Sequence, residues 1–185
     1  SLEDDVDMFL GSNLVGRAAI FAADGASKPF LDRGLAPHVV VTDLDGGDEV
    51  LLRASELGSI MVVHAHGDNI EALRRLVPRF RGPILGTTQS KPFKRIYNVG
   101  GFTDGDRAAY LASALNFRTI ILIGMNLIPR TGSEIEEKEL LYARRLLERL
   151  ASTAPGRFYN ATGGERVEIR GFQGISFREL DEILR

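Results

Sequence analysis

The 185-residue sequence predicts an α/β fold, a three-layer αβα sandwich around a mainly parallel sheet. Three observations carry that reading. Short runs rich in β-branched residues, such as Val39-Val40-Val41-Thr42 and Ile60-Met61-Val62-Val63, alternate with segments of helical period. The central runs are apolar throughout, as strands covered on both faces are. Four runs, Ala19–Ala22, Val39–Thr42, Ile60–Val63 and Ile96–Val99, lead into Asp, Gly or His, and parallel neighbours collect such residues along one sheet edge, where open α/β folds place their ligands.

In chain order, Glu3–Leu10 is expected to form a short acidic helix broken by Gly11-Ser12-Asn13. Strands follow at Arg17–Ala23, His38–Thr42, Ser59–Val63, Pro83–Thr87 and Arg95–Val99. The intervening helices are expected at Ala26–Asp32, Asp48–Leu57 and Asp68–Phe80, the last with Ile70, Leu73, Val77 and Phe80 as its apolar stripe. Asp106–Asn116 is a helix and Thr119–Ile123 a buried strand. Glu134–Leu150 is the longest helix, with Leu140, Ala143, Leu147 and Leu150 inward. Arg157–Ala161 and Val167–Ile169 read as short strands. Ser176 with Glu179 forms a capping box for a last helix through Leu184. One domain is expected over residues 1–185, with 1–16 unassigned and 151–185 a C-terminal extension on the same domain.

The net charge of −2 and a pI near 6.0 argue against a chain built to coat nucleic acid or an acidic membrane. With no cysteine there is no disulfide, thiolate nucleophile or Cys-ligated zinc, which suits a cytoplasmic protein. No apolar run reaches the roughly 20 residues of a membrane helix. The opening Ser1-Leu2-Glu3-Asp4-Asp5 lacks the basic and apolar regions of a signal peptide. The P-loop, the GxGxxG fingerprint and the GxSxG elbow are missing.

Four stretches carry candidate chemistry. Asp43 and Asp45 lie two positions apart, so an extended chain turns both carboxylates to one side; they form either an Mg2+ site or an Asp-Gly turn. His64-Ala65-His66-Gly67-Asp68-Asn69 resembles the HxHxDH zinc motif of metallo-β-lactamase-like hydrolases, but only three histidines stand in the whole sequence. It is also readable as a strand end with two solvent-facing histidines. A third reading has His64 and His66 meeting a phosphate or heterocycle while Asp68 joins the metal site. Gly100-Gly101-Phe102-Thr103-Asp104-Gly105-Asp106-Arg107 allows close backbone approach and opens a helix with an arginine in its first turn, either an arrangement suited to anions or a glycine-rich loop with an acidic N-cap. Lys91, Lys94 and Arg95 form a basic loop between two strands, a flap over phosphates or a solvated turn.

Taken together these stretches resemble two related families. Ala23-Asp24-Gly25-Ala26, Pro37–Asp45, Asp68–Leu73 and Gly100–Asp104 are similar to motifs of the thiamin pyrophosphokinase catalytic domain. VTDLDG, HAHGDN, Thr87-Thr88-Gln89 and GGFTDGDRA resemble more closely, and in order over residues 19–126, the archaeal 6-hydroxymethylpterin diphosphokinase (MptE-like) family. Leu10-Gly11-Ser12-Asn13 stands where that family has a Gly-Pro-Ser strand, and too few residues follow the long helix for the β-sandwich of the thiamin enzymes.

The resemblance implies a thiamin pyrophosphokinase-like fold and Mg2+-dependent transfer of diphosphate from ATP to the hydroxyl of 6-hydroxymethyl-7,8-dihydropterin. AMP is released, and the reaction belongs to pterin cofactor biosynthesis. It implies Asp43, Asp45 and Asp68 as metal ligands, and Asp43, Asp45 and Arg107 as the catalytic set. Asp24, Gly25, His64, His66, Asn69, Gln89, Gly100, Gly101, Thr103, Asp104 and Asp106 would bind nucleotide and substrate. His66 or Asp106 is the candidate base, and Asn69, Asn98 or Asn126 the candidate reader of the pterin edge. A homodimer is expected, with no nucleic-acid or membrane partner. The alternatives are a thiamin pyrophosphokinase or a non-catalytic nucleotide-binding module on the same scaffold.

Overall fold

The computed structural model describes residues 1–129 and 131–184. In chain order the elements are α1 (Leu2–Leu10), β1 (Phe21–Ala23), α2 (Lys28–Asp32), β2 (Val39–Thr42), α3 (Asp48–Glu56), β3 (Ile60–Ala65), α4 (Ile70–Leu76), β4 (Ile84–Thr88), β5 (Ile96–Tyr97), α5 (Asp104–Ala114), β6 (Thr119–Leu122), α6 (Glu134–Thr153), β7 (Arg157–Asn160), β8 (Gln173–Gly174) and α7 (Phe177–Ile183). They divide into two compact units, Ala19–Leu111 and Ser1–Ala18 with Ala112–Arg185. No helix among the described residues is long and apolar enough to cross a membrane.

In the unit Ala19–Leu111, five parallel strands lie in the order β1-β2-β3-β4-β5. Each crossover therefore advances in the same direction, and right-handed connections carry α2, α3 and α4 to the same face. There Leu31, Leu51, Ala54, Leu76 and Phe80 pack on Val40, Met61 and Val63. The other face carries Val39, Val41 and Val62, covered by Ala108 and Leu111 of α5. Alternate residues of β2 thus feed opposite layers, and all four of its residues are buried, as its apolar sequence requires. All five strands end on the same side, which places the segments after β1, β2, β3, β4 and β5 along one edge.

In the other unit, β6, β7 and β8 form a separate parallel three-stranded sheet. Asp5 of α1 is buried and accepts 2.8 Å hydrogen bonds from the Gly124 and Gly163 amides, tying the turns after β6 and β7 to one carboxylate. Ala143, Leu147 and Leu150 are the buried stripe of α6, and the α7 capping box of Ser176 and Glu179 is present.

Several expected boundaries shift. The expected helix Asp68–Phe80 is α4 followed by a 3₁₀ turn at Val77–Arg79, because Pro78 has no N–H and its ring crowds the preceding turn. Ile70 is exposed, and Leu76 with Phe80 makes the core contact instead. The Ala26–Asp32 segment opens as a 3₁₀ turn at Asp24–Ser27 before α2. α5 starts two residues before its expected position. Val167–Ile169 is not a strand: the Val167 amide donates to the Asn126 carbonyl, while residues 173–174 pair with β7. The strands also fall into two sheets rather than one.

Candidate active site: carboxylates at the strand ends

Asp24 follows β1 with φ of 44°, a left-handed conformation that Asp tolerates better than most residues. Its carboxylate accepts a short hydrogen bond from the hydroxyl of Thr42, which is wholly buried at the end of β2. The same hydroxyl oxygen accepts from the Leu44 amide at 2.8 Å. Leu44 has φ of 80°, strained backbone for a branched side chain, yet its side chain is buried in the helix-covered core. That reversal lets Leu44 point inward between Asp43 and Asp45. Gly46 completes the turn, and a Cβ there would collide with the Asp24 carboxylate and the Gly25 amide.

Across the edge, Asp104 begins α5 and accepts from the Asp43 amide at 3.3 Å. Carboxylate oxygens of Asp24, Asp43 and Asp104 lie within 4.8 Å of one another. Partial burial and mutual repulsion act together on this trio. Burial, then the charges of Asp43 and Asp24, pushes Asp104 up to about 8. Burial raises Asp24 to about 6 against the Thr42 hydrogen bond, with Asp45 pushing further in the same direction. Asp43 is also raised, by burial and by Asp45. Asp43 Oδ1 is buried and has no hydrogen-bond partner among the described residues. Asp45 therefore adjoins the trio through Asp24 and Asp43. Asp68, expected as a metal ligand, is exposed and lies outside the trio.

The histidines divide. His64 is buried, with Nδ1 3.1 Å from Thr87 Oγ1 and Nε2 2.9 Å from Gln89 Oε1. Both ring nitrogens are engaged, so His64 is neither solvent-facing nor available to zinc, and the trio contains no imidazole. His66 is partly exposed, its Nε2 3.6 Å from Asp43 Oδ2. The two imidazoles stack with centroids 6.1 Å apart. Asn69 spends its whole amide on backbone: Nδ2 donates to the carbonyls of Asp43 (2.8 Å) and His64 (2.7 Å), and Oδ1 accepts from the His66 amide. It staples the ends of β2 and β3 rather than reading a ligand. Asn98 is similarly committed, to the carbonyls of Gln89 and Ser90 and the Gly100 amide.

The glycine-rich segment is also braced from within. Asp106 is fully buried; its oxygens accept from the Phe102 amide, the Thr103 amide and the Thr103 hydroxyl. This is why α5 begins at Asp104, and it commits both Asp106 oxygens to bracing the loop. Arg107 is buried and donates to the carbonyls of Gly100 (3.3 Å) and Phe102 (2.8 Å), while its Nε lacks a partner among the described residues. Gly101, with φ of 84°, lets the loop lie against the Arg107 backbone, where a Cβ would collide. Gly100 meets Tyr110 in the same way. Lys91, Lys94 and Arg95 are exposed on a turn closed by the Phe93–Ile96 bridge, with Lys94 Nζ 5.1 Å from the centre of the Phe93 ring.

Two contributors escaped the sequence reading: the Thr42 and Thr87 hydroxyls, which orient Asp24 and His64. The signal available was weak, a Thr at or near the end of a buried strand just before a site residue.

A family model described as "6-hydroxymethylpterin diphosphokinase MptE-like" matches residues 1–130. A protein of Methanothermobacter thermautotrophicus named 6-hydroxymethyl-7,8-dihydropterin pyrophosphokinase is 49% identical over 107 residues, 58% of this chain and 46% of the relative. Proteins of the same name from Pyrococcus furiosus and Methanocaldococcus jannaschii are 46% and 39% identical over 140 and 150 residues. Those alignments cover 69% and 71% of this chain and 59% and 62% of the relatives. The chain therefore spans about half to three-fifths of the length of these relatives.

Proposed function

The chain belongs to the 6-hydroxymethylpterin diphosphokinase MptE-like family, and from that premise we propose that it transfers diphosphate from ATP to the hydroxyl of 6-hydroxymethyl-7,8-dihydropterin. The hydroxyl oxygen forms a bond to the β-phosphorus, the bond from that phosphorus to the bridging oxygen of the α-phosphate breaks, and AMP leaves. The observation that carries the reading is the convergence of Asp24, Asp43 and Asp104 at one edge of the parallel sheet.

These residues fit Mg2+. The donors are all hard carboxylate oxygens, one of them buried without a partner among the described residues, and burial with repulsion from neighbouring carboxylates raises the pKa of all three. Asp24, Asp43 and Asp104 would hold the ion, with Asp45 beside them. When bound, Mg2+ neutralises charge on the phosphate oxygens. The rest is positioning, which dominates phosphoryl-type transfer. Asn69 fixes the Asp43 and His64 backbone, and Asp106 with Arg107 fixes the loop that delivers Asp104. Of the two candidate bases, Asp106 is spent on capping α5. His66, partly exposed beside Asp43, remains to take the hydroxyl proton.

The test is AMP release from ATP and Mg2+, with 6-hydroxymethyl-7,8-dihydropterin and thiamin in separate reactions. AMP with the pterin alone is expected. AMP with thiamin alone would reassign the substrate, and no AMP with either would leave a binding module.

A further inference from the structure

Gln89 is exposed, yet it is held at both its side chain and its main chain. His64 Nε2 lies 2.9 Å from its Oε1, and Asn98 donates to its carbonyl at 3.1 Å and to that of Ser90 at 3.2 Å. The Ser90 amide in turn donates to Thr88 Oγ1. A long polar side chain at the surface loses rotamer freedom when fixed, so a held one calls for a reason. The direction of the hydrogen bonds supplies it. Gln89 offers its Oε1, which can only accept, to His64 Nε2, so Nε2 carries the ring proton and Nδ1 is left as the acceptor; the Thr87 hydroxyl, 3.1 Å from Nδ1 and 3.4 Å from the Val63 carbonyl, can then turn its proton to Nδ1. A neutral imidazole that accepts at Nδ1 carries its proton on Nε2 and donates it to Gln89 Oε1. The Gln89 oxygen is then turned to His64, leaving its NH2 group for other partners, and Gln89 follows β4 on the sheet edge where Asp24 and Asp43 follow β1 and β2.

We propose that His64 is a positioning residue that holds Gln89 so that its carboxamide presents only N–H donors to a hydrogen-bond acceptor on the bound ligand. Resting on the diphosphokinase reading, the acceptor is either a phosphate oxygen of the nucleotide or a carbonyl or ring nitrogen of the pterin. His64 itself touches no ligand. A buried imidazole thereby selects which end of an exposed amide the site displays.

Two measurements test this. Long-range proton–nitrogen NMR correlation on the unliganded protein is expected to give His64 as the Nε2–H tautomer; the Nδ1–H tautomer would overturn the orientation whatever the protein binds. Calorimetric affinities for Mg2+-ATP and, separately, for 6-hydroxymethyl-7,8-dihydropterin then read the display. Gln89→Ala is expected to weaken one of the two by about 3- to 10-fold, and Gln89→Glu, which turns acceptors toward the ligand, by about 30-fold or more. Which affinity falls tells phosphate from pterin.

His64→Gln keeps a donor near the Nε2 position and is expected to bind within about 3-fold of wild type. His64→Asn reaches only the Nδ1 position and is expected to match Gln89→Ala, with the double variant no weaker than either. A merely structural His64 would lower thermal stability in both His64 variants without that split. Wild-type affinity in Gln89→Glu, or additive losses in the double variant, would refute the proposal. Should His64→Asn fail to fold, the Gln89 variants and the tautomer still decide. A wild-type protein that binds neither ligand would count against the diphosphokinase reading, and the tautomer would then decide the orientation by itself.

Discussion

Replacing Asp104 by Asn should make the metal-free protein more stable, not less, and only at neutral pH. Asp104 sits at about 8, raised from 3.8 by burial and by Asp43 and Asp24. Between those two values the folded chain keeps a proton that the unfolded chain gives up. Stability therefore falls as pH rises through the window, by at most about 1.4 kcal/mol per pH unit, and the penalty is absent below about pH 4. At pH 7 the ceiling is about 4 kcal/mol; because Asp24 and Asp43 share the same repulsion, about 2 kcal/mol is expected for Asp104 alone. Asn has the same shape, can still accept from the Asp43 amide and never ionises. For a chain of this length the gain corresponds to about 4–8 °C in thermal midpoint.

The assay is thermal denaturation of wild type and Asp104→Asn with chelator, at pH 4.5 and 7.5, repeated with millimolar Mg2+. The variant should melt higher at pH 7.5, the gap should close at pH 4.5, and Mg2+ should raise the wild type while leaving the variant nearly unmoved. An equal gap at both pH values would locate the effect in packing rather than charge. A variant that gains as much from Mg2+ as the wild type would remove Asp104 from the metal site.

Asp43→Asn is expected to abolish AMP release in the coupled assay while leaving the thermal midpoint at neutral pH unchanged or raised. Gly46→Ala should displace the Asp24 carboxylate, since its Cβ has no other room; Mg2+-induced stabilisation in a melting assay should largely disappear. Arg107→Lys cannot reach the Gly100 and Phe102 carbonyls in a planar fork, so unfolding in urea should show a loss of about 2 kcal/mol and AMP release should fall at least tenfold.

The alternation of strands and helices, the parallel pairing and the edge where carboxylates gather were legible because β1, β2 and β3 are short, mostly apolar runs that lead into Asp or His. What the sequence could not resolve is which polar groups face a ligand and which face the backbone. Asn69, Asn98 and Asp106 look like binding residues at their positions, and each is consumed by main-chain hydrogen bonds that depend on how neighbouring turns approach. Asp68 and Asp104 both follow strands, but only Asp104 is brought to Asp43, because α5 packs on Val39, Val41 and Val62 and so returns from the β5 edge to the sheet centre. Such a return is tertiary information. The strand expected at Val167–Ile169 failed for a related reason: a buried Ile169 gives a segment strand-like character without giving it a ladder partner.

That return of the chain sets an order of assembly. Asp43 meets Asp104 across 61 positions, and the segment that completes the trio is the last part of the Ala19–Leu111 unit to be made. Closing so long a loop costs entropy before any contact between its ends rewards it. A nascent chain that has emerged only through β4 already carries Asp24, Asp43 and Asp45, yet it lacks Asp104 and has no α5 to cover one face of its sheet. If Mg2+ binds the trio as proposed, its capture waits until the Ala19–Leu111 unit is whole, and the ion would report that the folding of that unit has finished.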